Sequence, residues 1–411
     1  MRIFLDKIAR TVKNGNIVIV SNMFNGIWIK IPNECYNAVL QSTKDKISIE
    51  DTLNVFKENE DRNYYIKVIE SLDKIGLIGE VSSNKDSRCF IPYVSISVTN
   101  KCNLDCDYCC KDSNIYGEET LSTEDLKSVI YKASKLKPIN ITISGGEALL
   151  RKDFNEFIDY AKTVYSGKLI LSTNATLIND KNAEYIVNNF HAIEISLDAY
   201  DDETCTLIRG KGVFNKVIRA VKLLKSYNAK FISLSMVVGK NNFNEQEKFI
   251  ELNKKLGTKH RIRYFSAFGR GDCVCDKYLD ENTLFYRPVD HFDNIDINKL
   301  KTGHCNAGVN QIYFNHEGDI YLCPNLSHDD FKICNVKEFD DEAVERLYNR
   351  DFDAFKKFDY IKENKIRDCK HCDINIFCNT CPAHTDMIKD NDAVFRKYCD
   401  STIEGIHKKI W

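Results

Sequence analysis

The sequence predicts an α/β protein built around a partial (β/α)6 barrel, with a small domain before the barrel and a cysteine-rich region after it. Strand-like and helix-like stretches alternate from about residue 92 to residue 270, a pattern typical of parallel βα units. Short β-branched runs followed by helical periodicity precede the barrel. The chain has 17 cysteines, and most of them fall into two tight groups. These observations divide the chain into three parts.

Six strand-like runs predict the barrel, because right-handed crossovers curl successive βα units in one direction. They are Tyr93–Val98, Asn140–Ser144, Lys168–Ser172, Ala192–Leu197, Phe231–Val238 and Arg261–Phe265. Helices are expected between them, for example over 124–136 after the N-cap Ser122 and over 214–227. Chemistry in such sheets takes place at the C-terminal ends of the strands, so the motifs that follow each strand carry the functional prediction.

Composition and charge exclude several classes of protein. The formal net charge of −2 gives no reason to expect nucleic acid or membrane lipid as a partner. The N-terminus lacks the apolar core of a signal peptide, and the longest apolar runs, such as Ile17–Val20, are far too short to cross a bilayer. We therefore expect a cytoplasmic protein whose cysteines bind metal rather than form disulfides.

The first cysteine group follows the first barrel strand and reads TNKCNLDCDYCC. Its spacing, Cys102-x3-Cys106-x2-Cys109, can bring three thiolates to one iron–sulfur cluster. A [4Fe–4S] cluster has four irons, so three cysteines leave one iron open to another ligand. Cys110 directly follows Cys109, and we expect its side chain to point away from the cluster.

This spacing at the end of a first barrel strand resembles the radical S-adenosylmethionine (SAM) superfamily, whose fold is a partial, TIM-like barrel. The resemblance implies that SAM chelates the open iron and is cleaved reductively to a 5′-deoxyadenosyl radical, which abstracts hydrogen from the substrate. Cys102, Cys106 and Cys109 would then be both metal ligands and catalytic residues.

Motifs after the later strands extend the resemblance. It assigns the turn SGGEALL to the SAM amino group, the turn STNA to the ribose, Arg209 to the SAM carboxylate and Tyr108 to the adenine. The cofactor-binding residues that it implies are Tyr108, Gly145, Gly146, Glu147, Ser172, Asn174, Ser196, Asp198 and Arg209. Ala148 stands where members of the superfamily often have proline.

The second cysteine group resembles the SPASM extension of peptide-modifying radical SAM enzymes. The resemblance implies one auxiliary [4Fe–4S] cluster on Cys369, Cys372, Cys378 and Cys399, and a second on Cys305, Cys323 and Cys381. Two residues separate Cys378 from Cys381, where the family usually has three. Cys334, Cys273 or Cys275 could complete the second cluster, or its fourth position could stay open for a substrate thiolate. A zinc ribbon is the alternative interpretation.

The N-terminal region predicts a small winged-helix-like module. Strands are expected over 16–20 and 26–31, then a helix with Pro32 at its first position, a second over 49–56 capped by Ser48, and a third over 64–75. Residues 1–80 contain 11 basic and 11 acidic side chains, a balance that argues against DNA binding. Ahead of a SPASM-type enzyme, the module resembles a peptide-recognition element, in which a leader peptide adds a strand to a sheet edge. A purely structural role is the alternative.

The predicted domains are a recognition domain (1–81), a linker (82–91), the radical SAM barrel (92–285) and a SPASM domain (286–411). The expected function is modification of a ribosomally made precursor peptide, with a cysteine thioether cross-link as the product and reduced flavodoxin or ferredoxin as the electron donor. Alternatives are a carbon–carbon cross-link or oxidation of a protein residue, as in sulfatase-activating enzymes. An iron–sulfur, redox-sensing DNA-binding regulator is the alternative outside the enzymes.

Overall fold

The computed structural model describes residues 4–5, 9–22, 25–45, 47–79, 91–280, 283, 296–302, 305, 307–308, 310–362, 369, 371–378 and 381–411. By contact they form two compact units. The terminal unit draws on Met1–Arg88, Val289–Cys305 and Asp359–Trp411, and the barrel unit draws on Cys89–Pro288 and Asn306–Phe358. The terminal unit thus combines the two ends of the chain.

The strands in chain order are β1 (Phe4–Leu5), β2 (Ala9–Asn14), β3 (Ile17–Asn22), β4 (Trp28–Pro32), β5 (Ile78–Gly79), β6 (Tyr93–Ser97), β7 (Asn140–Ser144), β8 (Lys168–Thr173), β9 (Ala192–Ser196), β10 (Ile232–Val238), β11 (Lys259–Tyr264), β12 (Gln311–Phe314), β13 (Asp319–Tyr321) and β14 (Lys332–Asn335). The α-helices are α1 (Asn33–Asp45), α2 (Ile49–Leu53), α3 (Asn59–Lys74), α4 (Thr123–Lys135), α5 (Phe154–Val164), α6 (Ala183–Asn189), α7 (Asp202–Arg209), α8 (Val213–Ser226), α9 (Gln246–Leu256), α10 (Cys275–Tyr278), α11 (Asp341–Tyr348), α12 (Asp353–Lys362), α13 (Pro382–Ile388) and α14 (Asp392–Ile410).

The barrel unit contains a nine-stranded sheet in the order β11-β10-β9-β8-β7-β6-β12-β13-β14. Strands β6 to β11 are parallel, and each pairs with the next along the chain. Strand β12 adds to β6 in parallel, and β13 and β14 follow antiparallel. All six predicted barrel strands are confirmed, as is the parallel α/β fold. The parallel pairing brings the C-terminal ends of the six strands to one edge, where the predicted motifs begin.

Local sequence explains why these elements form. In β7, Ile141 and Ile143 are fully buried and alternate with half-buried polar residues, the pattern of a strand with one apolar face. Helix α4 begins at a capping box, in which Ser122 and Asp125 each bond the other's backbone N–H. Its apolar residues at three- and four-residue spacing, including Leu126 and Val129, are fully buried.

The terminal unit holds a three-stranded antiparallel sheet in the order β2-β3-β4. One face packs on α1 and α3 through Val18, Val20 and Ile31. The other face packs on the C-terminal segment, where Val12 and Ile19 meet core residues that include Phe377, Ile406 and Ile410. Because side chains alternate across a strand, β3 supplies both cores. The N-terminal sheet therefore supports the cysteine-bearing end of the chain.

Three N-terminal and C-terminal expectations need correction. Pro32 is the last residue of β4, paired with Ile17, and α1 begins one residue later. Ser48 does cap α2 by accepting a hydrogen bond from the Asp51 N–H, but this helix ends at Leu53 rather than residue 56. From about residue 300 to the end the sequence predicts loops with closely spaced cysteines, but the structure contains β12–β14 and α11–α14 there. The strands, of three or four residues, are too short to show a period in the sequence.

The predicted linker lies outside the described residues except for Ile91, and so does the predicted boundary between residues 285 and 286. Among the helices that the structure describes, none is long and apolar enough to span a bilayer.

Candidate functional site

The first cysteine group lies in the loop that follows β6. Cys102 and Cys106 are buried and Cys109 is half-buried. The backbone N–H of Cys102 donates to the Asn114 carbonyl at 2.8 Å, and the N–H of Cys109 donates to the Cys106 carbonyl at 3.2 Å. The first bond connects the two ends of the loop, and the second forms a turn within it. We call residues 102–113 the cysteine loop.

Each of the three sulfurs faces an N–H donor. The backbone N–H of Leu104 lies 3.4 Å from the Cys102 sulfur, the N–H of Ser113 lies 3.3 Å from the Cys109 sulfur, and Nη1 of Arg209 lies 3.7 Å from the Cys106 sulfur. Donors aimed at sulfur stabilise thiolates and the sulfurs of iron–sulfur clusters. The donor set therefore fits an iron–sulfur group on these cysteines.

In the absence of a metal, burial has the largest effect on the pKa values of Cys102 and Cys106. It raises the pKa of Cys106 to about 11, an effect that the Arg209 guanidinium partly opposes. It also raises the pKa of Cys102, against the hydrogen bond from Leu104. Metal binding at these residues would therefore release protons.

Gly145 and Gly146 sit where the turn after β7 meets the strand that leads into the cysteine loop. A Cβ on Gly146 would lie 2.4 Å from the Lys101 carbonyl oxygen, and one on Gly145 would lie 2.6 Å from the Thr99 carbonyl oxygen. The N–H of Gly146 donates to Thr99 and that of Glu147 to Lys101. The glycines therefore allow close approach of one backbone to another, and the predicted contact of this turn with the SAM amino group stays a prediction.

The Glu147 carboxylate is fully buried and joins two strand ends. It accepts hydrogen bonds from the Thr173 hydroxyl at 2.8 Å, the Asn174 N–H at 2.8 Å and the Leu149 N–H at 3.1 Å. Burial raises its pKa, and these donors oppose that effect. Glu147 thus fixes the end of β8 beside the turn after β7.

Asn174 connects the same network to the cysteine loop. Its side-chain nitrogen lies 3.9 Å from the Cys102 sulfur and 2.9 Å from Oδ1 of Asn103, while its own Oδ1 accepts from Thr176. The chain Glu147–Asn174–Cys102 therefore links the ends of three strands.

The turn after β9 contributes a buried ion pair. Asp198 is 1% exposed and has a left-handed backbone, with φ of +62°. Its Oδ1 accepts from the Val237 N–H and its Oδ2 from Nε of Arg209, both at 2.7 Å. Because Arg209 also reaches the Cys106 sulfur, the pair places a positive charge beside the cysteine loop. The proposed partner of this arginine, a SAM carboxylate, would bind next to that charge.

Tyr108 packs edge-on against Tyr278 and Phe265, with ring centroids 5.0 and 5.9 Å away. Ala267 and Leu279 complete this buried cluster. Among the atoms that the structure describes, the Tyr108 hydroxyl has no hydrogen-bond partner although it is buried. An unsatisfied buried hydroxyl is costly, so a polar ligand beside it would be stabilising. This orphaned atom fits the nucleoside that the sequence predicts there.

Most of the predicted SAM-site residues are joined by direct contacts. Ser172 and Ser196 lie at the ends of β8 and β9, two positions before Asn174 and Asp198 respectively, and they stay predictions. Cys110 is exposed. Sequence reasoning missed Thr173, which lies inside the STNA motif, and Arg270, which follows β11. The rule that function follows strand ends would have singled out Arg270 if it had been applied to the sixth strand.

The C-terminal cysteines form a second site in the terminal unit. Cys369, Cys372, Cys378 and Cys399 line one cavity of about 290 Å³ with Ile374, Asn375, Phe395 and other residues. Burial, and then the charges of the other three cysteines, raises the pKa of Cys399 to about 12. Four thiols close enough to influence one another around one cavity fit a four-cysteine cluster.

The predicted ligands of the second auxiliary cluster do not all belong to the same compact unit. Cys381 precedes α13 as its N-cap residue and, like Cys305, belongs to the terminal unit, whereas Cys323 belongs to the barrel unit. Their shared cluster stays a prediction. In the described part of the chain, no three His, Cys, Asp or Glu side chains lie close enough to hold a single metal ion. A four-iron cluster instead takes each thiolate on a different iron.

Comparison with known proteins agrees with the barrel. Residues 96–252 match the family model of the radical SAM superfamily. The mycofactocin maturase MftC of Mycolicibacterium smegmatis is 26% identical over 262 residues, which cover 58% of this chain and 66% of the relative. The match therefore spans just under two thirds of that relative. GTP 3′,8-cyclase of Clostridium botulinum (strain Hall) is 27% identical over 293 residues, covering 63% of this chain and 90% of the relative.

Among solved structures, Streptococcus suis SuiB is similar over nearly the whole chain. The SuiB structure with S-adenosylmethionine aligns with a TM-score of 0.55 and 14% identity, covering 95% of this chain and 98% of SuiB. SuiB bound to its precursor peptide SuiA also aligns with a TM-score of 0.55. At this identity the likeness concerns the fold.

Proposed function

Because the domain that spans residues 96–252 belongs to the radical SAM superfamily, we propose that the protein cleaves SAM and abstracts hydrogen from a ribosomally made precursor peptide. The observation that carries the proposal is the contact network at the strand ends. Each of the three cysteine sulfurs faces an N–H donor. The Cys102 sulfur also lies beside Asn174, which Glu147 holds, and the Cys106 sulfur lies beside the Asp198–Arg209 pair. The same residues would hold a [4Fe–4S] cluster and the SAM bound to it.

A [4Fe–4S] cluster with an open iron supplies the electron that cleaves SAM. The residues of this chain position and shield that reaction. Cys102, Cys106 and Cys109 hold the cluster, and Arg209 supplies positive charge for the SAM carboxylate. The Tyr108 hydroxyl offers an unsatisfied polar group for the nucleoside, and its aromatic neighbours Phe265 and Tyr278 exclude water around it.

A peptide substrate is supported by two observations. SuiB, whose fold this chain shares, has been solved with a precursor peptide, and the relative MftC is named a maturase. Among the described strands, β2 and β4 are the edges of the N-terminal sheet, so β4, which covers most of the predicted strand 26–31, can accept an added strand. We propose that a leader peptide binds at this edge. Reduced flavodoxin or ferredoxin is the proposed electron donor.

The proposed product is a cysteine thioether. The peptide would lose a hydrogen atom from carbon to the 5′-deoxyadenosyl radical, giving 5′-deoxyadenosine, and a proton from its cysteine thiol. Formation of the carbon–sulfur bond would release one electron, for which an oxidised auxiliary cluster held by the C-terminal cysteines would be the acceptor. The four-cysteine cavity supports one such cluster, and Cys305, Cys323 and Cys381 are the proposed ligands of the other. The net change is the loss of two hydrogen atoms per cross-link.

The test incubates anaerobically reconstituted protein with SAM, dithionite and a synthetic cysteine-containing peptide from a reading frame beside the gene. Mass spectrometry should detect 5′-deoxyadenosine and a peptide lighter by two hydrogen atoms. The cysteine of that peptide should no longer react with a thiol-alkylating reagent. The control is the Cys102→Ala/Cys106→Ala/Cys109→Ala variant, which should form neither product.

Other outcomes revise the proposal at different levels. A peptide that loses two hydrogen atoms but retains a free thiol indicates a carbon–carbon cross-link or an oxidised residue. Abundant 5′-deoxyadenosine with every peptide unchanged, but a modified nucleotide when GTP is supplied, contradicts the peptide substrate. If fully iron-loaded protein forms no 5′-deoxyadenosine, the proposal of a radical SAM enzyme is contradicted. The redox-sensing regulator is then the remaining hypothesis.

A further inference from the structure

The segment that follows β11, the sixth barrel strand, lies directly against the cysteine loop. Gly269 has a φ of +57°, and a Cβ at this position would lie 2.6 Å from the Cys109 carbonyl oxygen and 2.8 Å from that of Cys110. The backbone N–H of Arg270 donates to the Cys109 carbonyl at 3.1 Å. A side chain at position 269 would therefore push the two segments apart.

The Arg270 guanidinium binds the cysteine loop at several points. Nε and Nη2 lie 3.2 and 3.1 Å from the Cys106 carbonyl oxygen, and Nη2 lies 2.9 Å from that of Ser113. Nη1 donates to the Asp112 carboxylate at 2.9 Å, and Nη2 lies 3.0 Å from the Asp105 carboxylate. Only arginine presents a planar fork of five N–H donors, so no other side chain can make this set of contacts.

These contacts bracket two of the three cysteines. One anchor is the carbonyl of Cys106 itself, and the other is the carbonyl of Ser113, whose N–H faces the Cys109 sulfur. Holding both anchors fixes the distance between the parts of the loop that present Cys106 and Cys109. The same segment adds a third ion pair, between Lys277 and Asp107. The side chain of Arg270 is only 21% exposed, so water competes weakly for its bonds to the two carbonyls, whereas the carboxylates of Asp105 and Asp112 are themselves exposed.

We propose that Arg270 is a positioning residue that holds the cysteine loop in the geometry that binds the cluster, and so joins the sixth strand of the barrel to the first. This inference rests on the proposed function for the identity of the cluster. It does not require SAM cleavage, because its direct consequence is how firmly the loop holds iron.

The test compares Arg270→Gln and Arg270→Lys with Arg219→Gln, in which the exposed Arg219–Asp180 pair is lost. Each protein is reconstituted anaerobically, and loss of the SAM-sensitive EPR signal is followed after addition of an iron chelator. The signal of the three-cysteine site is identified as the SAM-sensitive signal that the Cys102→Ala/Cys106→Ala/Cys109→Ala variant lacks. Losing several charge-assisted hydrogen bonds should make Arg270→Gln lose the signal about tenfold faster or more, because the loop would no longer be held at its two carbonyls.

Arg270→Lys should fall between the wild type and Arg270→Gln, because lysine keeps the charge but not the fork. Arg219→Gln should match the wild type. The thermal midpoints of the metal-free variants separate positioning from general stability: the proposal expects both Arg270 variants to stay close to Arg219→Gln. If Arg270→Gln does not fold, Arg270→Lys decides alone.

Wild-type signal lifetimes in Arg270→Lys and Arg270→Gln would overturn the proposal. An equal fall in metal-free stability and signal lifetime would overturn it too, because it would make Arg270 a general structural residue. Failure of the proposed function would give a different result. The wild type would hold its cluster but release no 5′-deoxyadenosine, and the variants would keep the same order of signal lifetimes.

Discussion

At the scale of single residues, the site is organised by hydrogen bonds between the ends of strands that are distant in sequence. Glu147 lies in the turn after β7, yet its partners Thr173 and Asn174 belong to the end of β8. The superfamily resemblance gives Glu147 a role in binding SAM, and its contacts give it a structural one. The two roles predict different consequences of substitution.

Replacing Glu147 with glutamine should destabilise the protein. The amide nitrogen would face the Leu149 N–H or the Asn174 N–H, depending on which oxygen it replaces, so one backbone donor would lose its acceptor. We expect the free energy of unfolding to fall by about 2 kcal/mol, measured by urea denaturation of the metal-free protein. Glu156→Gln, at an exposed pair with Lys127, is the control and should change it by less than about 0.5 kcal/mol. Unchanged stability with loss of SAM binding would show that Glu147 acts only on the ligand.

Residue types and spacing predicted most members of this site but not their contacts. Cys102, Cys106, Cys109, Gly146 and Asn174 could be named because each follows a strand in a recognisable motif. The close approach of Gly146 to Lys101 could not be predicted, because it depends on how two turns pack. The strand-end rule could have singled out Arg270 but not its contacts, because its partners lie more than a hundred residues earlier in the chain.

At the scale of elements, the N-terminal sheet has two buried faces and therefore contributes to two hydrophobic cores. The sequence indicated the strands and the helices on one face, but the second core was not predictable because its other half lies near the C-terminus. Trp28 in β4 is the clearest link. Its ring meets Phe377 edge-on at 5.1 Å, and its Nε1 donates to the Leu300 carbonyl at 2.7 Å. Phe377 directly precedes Cys378, a lining residue of the four-cysteine cavity.

Trp28→Ala should therefore weaken the C-terminal metal site and leave the three-cysteine site intact. Deleting a packed tryptophan costs about 3–5 kcal/mol, and the loss should fall on the core that holds Phe377. We expect reconstituted protein to contain about four fewer irons while its SAM-sensitive EPR signal is kept. Tyr64→Ala, on the exposed side of α3, is the matched control and should retain all its iron. Full iron loading of Trp28→Ala would contradict the support that we assign to this sheet.

At the scale of the whole molecule, the two compact units each contain one complete cysteine site. The barrel unit carries Cys102, Cys106 and Cys109, and the terminal unit carries Cys369, Cys372, Cys378 and Cys399. The sequence predicted the first set from its spacing, and the SPASM resemblance implied the second; that both sets bind clusters stays a prediction. It treated the chain as a succession of domains, whereas contacts assign residues 306–358 to the barrel unit and 359–411 to the N-terminal residues. Such associations cannot be inferred from spacing alone.

The central claim is that these cysteines hold iron–sulfur clusters, one of which binds SAM. The most direct measurement is the iron and sulfide content per chain after anaerobic reconstitution, for the wild type and for the Cys102→Ala/Cys106→Ala/Cys109→Ala variant. We predict about 12 irons in the wild type and about 8 in the variant, as expected for three four-iron clusters of which one is lost. About four irons in the wild type and none in the variant would contradict the auxiliary clusters and favour zinc at the C-terminal cysteines. An iron content unchanged by the triple substitution would contradict the central claim itself.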